Sequence, residues 1–146
     1  MNDMLPSRLR RTDFQRLAEF RVQDAQILLK AGRFAGAYYL GGYAVDCALK
    51  AAIARRFRES DFPDRGFVGQ IYTHDLEQLL RLSELEREFS KARKANPKLA
   101  VNWAFIKDWS EAKRYESQVN EKEAHDLLDA IADDEAGILP WIRKHW

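Results

Sequence analysis

The sequence predicts an all-α protein, a bundle of about five helices, on three observations. Apolar residues recur at three- and four-residue intervals through long segments. Seven glycines and four prolines are too few for the turns of a β-sandwich. The segment from Phe34 to Arg58 is apolar over so wide an arc that it fits a helix packed on several sides. The chain has 146 residues, 46% of them hydrophobic and 32% charged, enough to close one core as a single domain over 12–146.

Each element has its own signal. Residues 1–11, with Arg8, Arg10 and Arg11, read as a basic N-terminal arm. Thr12 and Gln15 have capping-box spacing ahead of a helix carrying Phe14, Leu17, Ala18, Ala25, Leu28 and Leu29, and Gly32 is its stop. In the Phe34–Arg58 helix, Leu40, Ala44, Cys47, Ala51 and Ala54 form one stripe, and Tyr38, Val45, Leu49 and Ile53 a second. Gly41-Gly42 inside it suggests that another backbone approaches closely. Glu59–Tyr72, with Pro63, Gly66 and Gly69, reads as a loop, after which Thr73 caps a short helix bearing Leu76, Leu79, Leu80 and Leu82. Ser83 and Glu86 make a second capping box, opening a helix that stops at Asn96-Pro97. Leu99, Trp103, Ile106 and Trp109 share the next segment. Asn120 and Glu123 open a last helix, with a break expected near Gly137 and Pro140.

Composition excludes several functions. Lys and Arg number 24 against 23 Asp and Glu, so a net charge of +1 argues against a polyelectrolyte partner for nucleic acid or anionic lipid. No apolar run of about 18 residues is present and no secretory signal is visible, which predicts no membrane association. A lone Cys47 forms no intrachain disulfide and predicts a cytoplasmic setting. His74, His125 and His145 lack metal-ligand spacing, and Gly32–Gly36 is no Walker loop, so neither metal nor cofactor is expected.

Five residues are candidates for binding a nucleotide or RNA. Asp46 and Lys50 stand four apart on the long helix, which fits a salt bridge or a buried pair tying helices together, or a lysine aimed at phosphate. His74 is placed to cap and brace, or to act as a base. Arg114 and Tyr115 sit in a polar connection and combine a forked donor with a stacking face; bracing against Asp108 or Glu111 and packing on the bundle end are the structural counterparts. The basic clusters Arg55–Arg58 and Lys91–Lys94 fit a solvated face, and Cys47 an inert core thiol.

Several segments in order resemble the HEPN domain family. Gly36–Ala51, with Asp46 shortly before Ala48-Leu49-Lys50-Ala51, is similar to its long second helix; Thr73-His74-Asp75-Leu76 to its helix start; Arg114-Tyr115 to its Arg-Tyr pair; and Glu121–Ile142, with Glu123-Ala124, to its closing helix. The resemblance implies an up-and-down bundle that homodimerises, often beside a minimal nucleotidyltransferase in toxin–antitoxin or defence systems. Ribonuclease members carry Arg four to six residues ahead of His, and no histidine here has an arginine in that window. The expectation is therefore a non-catalytic protein binding a nucleotide, RNA or a nucleotidyltransferase. The alternatives are a metal-independent RNA-cleaving toxin using His74 and Arg114, and a structural dimerising module.

Overall fold

The computed structural model describes residues 9–57, 62 and 64–146, with Arg114 described through its backbone alone. The described residues form α1 (Arg11–Lys30), α2 (Phe34–Ala54), α3 (Arg65–Ile71), α4 (Leu76–Leu82), α5 (Glu86–Ala95), α6 (Pro97–Ile106), a 3-10 helix (Glu111–Tyr115), α7 (Glu121–Ala132) and α8 (Ile138–Arg143), and no strand. The all-α class is as predicted, but with eight α-helices instead of about five. The excess includes α3, which the Asp64 side chain caps inside the predicted loop, and α8, which the break near Gly137 sets apart from α7.

The hub is α2, packed against α1, α4, α7, α8 and the 3-10 helix. Twelve of its 21 residues are buried, which is the physical meaning of its two apolar stripes. It ends at Ala54, four residues short of the predicted Arg58. The core around it includes Val45, Leu49, Leu76, Phe89, Ile106, Leu127, Ile131 and Ile142. Gly32, at φ +77°, reverses the chain between α1 and α2 as expected of a left-handed stop. Gly41-Gly42 admits close neighbours, though these are side chains and not the backbone expected from sequence. A Cβ on Gly41 would lie 2.6 Å from Leu128 Cδ2, and one on Gly42 would overlap the indole of Trp109.

Local chemistry explains the corrected boundaries. No box forms on Thr12 and Gln15, because α1 starts a residue earlier and the Asp13 carboxylate accepts from the Arg10 amide at 2.8 Å. Arg11 is thus helical, and residues 1–8 of the arm lie outside the described residues. The predicted loop before Tyr72 contains α3, since Asp64 accepts from the Phe67 amide at 3.0 Å and Phe67 packs on Phe57 with ring centroids 5.4 Å apart. Arg58, at the predicted end of the long helix, and residues 59–61 and 63 of the predicted loop lie outside the described residues. The cap of α4 is Asp75, accepting from the Gln78 amide at 3.1 Å, while Thr73 only accepts from the Asp75 amide at 3.2 Å.

Ser83 closes α4 rather than opening α5, its hydroxyl donating to the Leu80 carbonyl at 2.6 Å. Glu84 then turns the chain at φ +62°. Trp109 is buried but lies beyond the end of α6, because its amide bonds Ile106 in a tight turn. Asn120 caps α7 as predicted, accepting from the Glu123 amide at 2.8 Å. The break precedes α8 near Gly137, and Pro140 sits inside its first turn, where proline is tolerated.

Candidate functional site

The site is built on a charge in the core. Asp46 is completely buried on α2, and one turn later Lys50 brings its ammonium to 2.9 Å from Oδ1. That contact is an ion pair without hydrogen-bond geometry, since Oδ1 has no hydrogen-bond partner. The other carboxylate oxygen, Oδ2, lies 2.7 Å from His74 Nδ1. His74 reaches it from the short Thr73–Asp75 segment, which the Asp75 cap holds at the start of α4. Its ring lies beside Tyr43, centroids 5.9 Å apart.

The partners fix the proton. A carboxylate only accepts, so Nδ1 of His74 donates to Asp46, and in the neutral ring the lone pair sits on Nε2. Lys50 Nζ, 3.4 Å from Nδ1, is a donor and offers that nitrogen no acceptor. Nε2 lies 3.4 Å from the exposed Glu111 carboxylate, which becomes an ion-pair partner when the ring is protonated. Burying charges in this way gains no stability over well-packed apolar side chains. What it supplies is an imidazole of set orientation.

The imidazole opens on a cleft of about 410 Å³ between the start of α4 and the connection from α6 to the 3-10 helix. Asp75, Glu77, Asp108 and Glu111 line it against Lys107 and His74, so it is rich in carboxylates. Asp75 is occupied as a cap, and Glu77 lies 3.8 Å from Lys107. Trp109 forms one wall, seated on Gly42 and stacked on Tyr39 with centroids 6.0 Å apart. Lys113 lies over the Tyr38 ring at 5.6 Å. Burial, then the charges of Glu123 and Asp108, raise the Tyr38 pKa, and burial foremost raises that of Tyr43, so both phenols stay neutral.

Three of the five sequence candidates therefore meet: Asp46, Lys50 and His74. On α2 Asp46 is buried and Lys50 half-buried, and Asp46 ties that helix to the segment before α4 through His74. Tyr115 lies on the 3-10 helix that begins with Glu111, and it is exposed. The Arg114 side chain, with its proposed phosphate contact, lies outside the described residues. Sequence reasoning missed Glu111 as a partner of His74 and Trp109 as a cleft wall, 37 and 35 residues further along; no local spacing signals such contacts. Cys47 is the buried thiol expected, its pKa pushed up to about 12 by burial and then by Asp46.

Among the described residues no group of three or more His, Cys, Asp or Glu could hold a metal ion. No described helix is long and apolar enough to cross a membrane. No family model, no curated protein and no solved structure matches the chain.

Proposed function

We propose that the chain is a HEPN-type protein that binds RNA or a nucleotide at the His74 cleft, acting as a cytoplasmic homodimer with a nucleotidyltransferase partner in a toxin–antitoxin or defence system. The observation that carries the binding reading is the Asp46–His74 pair, a buried carboxylate orienting a cleft imidazole at 2.7 Å. The carboxylates of the cleft select which part of a ribonucleotide enters. Asp108 and Glu111 accept hydrogen bonds from ribose hydroxyls and base amino groups but repel a bare phosphate, so sugar and base face inward. Phosphate stays at the rim, near Lys107, which lines the cleft, and Tyr115, exposed on the 3-10 helix that starts at Glu111, is the aromatic candidate for contact with a base.

Fluorescence anisotropy with a labelled single-stranded RNA, and calorimetry with AMP, test this. Glu111→Ala should weaken binding by about tenfold, the loss of one hydrogen bond to a charged group, without lowering the unfolding temperature. His74→Ala should weaken binding as much and also lower that temperature, because it strips the buried Asp46 carboxylate of its partner. No binding of either ligand at millimolar concentration sinks the reading.

The same pair favours a second reading, metal-independent RNA cleavage. His74 Nε2 takes the proton of a 2′-hydroxyl, O2′ forms a bond to the adjacent phosphorus, and the 5′-oxygen leaves with a proton from water. The products are a 2′,3′-cyclic phosphate and a 5′-hydroxyl. Their appearance in EDTA, abolished by His74→Ala, makes the protein an enzyme; intact RNA leaves it a binding module.

A further inference from the structure

A second groove, of about 540 Å³, lies at the other end of α4, between the α2 C-terminus, the Ser83–Leu85 turn and Lys144-His145. Its charge is of opposite character to that of the cleft. Three cations, Arg55, Arg56 and Lys144, face it against Glu84 and Glu88. The carboxylates are already engaged: Glu84 lies 2.7 Å from Arg56, and Glu88 3.3 Å from His145 Nδ1. Arg55 and Lys144 have no carboxylate partner among the described residues. Arg55 donates only to the neutral His145 carbonyl, at 2.7 Å, which anchors one guanidinium nitrogen and leaves the charge uncompensated. The imidazole of His145 lines the groove and is backed by Trp141, centroids 4.3 Å apart, which packs in turn on the buried Phe89 at 4.6 Å.

From this pairing deficit we infer that the groove is a phosphate-monoester site, in which Arg55 and Lys144 hold the dianion and the His145 ring flanks whatever the phosphate is attached to. A dianion matches two uncompensated cations, and an arginine with its remaining N–H groups free presents the fork that phosphate oxygens take in pairs. Two sources share this chemistry, a free mononucleotide and the 5′-phosphate of an RNA. The site stands on residues separate from the His74 cleft, so it does not rest on the reading of that cleft.

The test is an NMR titration of the full chain with inorganic phosphate, with AMP, and with one short RNA carrying either a 5′-phosphate or a 5′-hydroxyl. Resonances of Arg55, Lys144 and His145 should shift with phosphate and AMP. Preference for the 5′-phosphate over the 5′-hydroxyl RNA, by about tenfold, identifies the RNA end as the source; a shift with AMP and no such preference identifies the mononucleotide. Arg55→Gln with Lys144→Gln should abolish the response at unchanged unfolding temperature, Arg55→Lys should restore part of it, and His74→Ala should leave it intact. Unmoved resonances with all probes, or an undiminished response in the double variant, overturn the proposal.

Discussion

The two ends of α4 make a natural comparison. At its start a histidine meets a charge buried in α2, and the cleft outside is lined with carboxylates. At its finish Arg56 meets a carbonyl and a carboxylate on the surface, and the groove outside carries excess positive charge. Both contacts tie α2 to α4, yet they differ in solvent access: Asp46 is fully buried, whereas Glu84 and Arg56 are in water. The same kind of ion pair is therefore costly to break at one end and nearly neutral at the other. Structure at the first end is committed to orienting one ring, and at the second the side chains remain available to ligand.

The largest effect that separates the ends is expected from Asp46→Ala. It leaves Lys50 and His74 without their buried counter-charge and should destabilise the fold by about 3–5 kcal/mol in urea unfolding. A loss no larger than that of a surface pair would erase the distinction. Gly42→Ala comes next, because the added Cβ overlaps the Trp109 indole that walls the cleft. It should cost about 1–3 kcal/mol and alter tryptophan fluorescence, with the groove unaffected.

Alkaline pH sharpens the contrast through Cys47, the neighbour of Asp46. Folded, its thiol stays protonated to about 12, against an ordinary value of 9.0. Unfolded chains therefore release that proton first, so the contribution is complete below 9 and is lost as pH rises from 9 toward 12. The loss is about 1.4 kcal/mol per pH unit in that window, and Cys47→Ala should flatten it in denaturant titrations at pH 9–11. Smallest is Arg56→Ala at the groove end, expected within about 1 kcal/mol of the parent in the same unfolding assay.

Much of this architecture is legible in sequence. The apolar stripes from Phe34 onward identify the hub because helical period and burial follow from the same geometry, and Gly32 and Asn120 end and start helices through contacts within a few residues. The short helices are less legible. Asp64 and Asp75 open helices and Ser83 closes one through bonds within three residues, but several polar residues nearby could do the same. Packing such as that of Phe67 on Phe57 completes α3. For the site, the sequence offers Asp46 with Lys50 as an i,i+4 pair and His74 as a separate residue. It does not reveal that Asp46 has a second oxygen for His74, or that Glu111 stands beyond, because those distances are set only once α4 and the 3-10 helix dock on α2.

The central claim is that Asp46 holds His74 with its proton on Nδ1 and a lone pair on Nε2 toward the cleft. Long-range ¹H–¹⁵N NMR on the neutral imidazole reads this directly. The account predicts a protonated Nδ1 and a bare Nε2 for His74, with the preference lost in Asp46→Asn. A neutral ring protonated at Nε2, or one averaging both forms as free imidazole does, would contradict it.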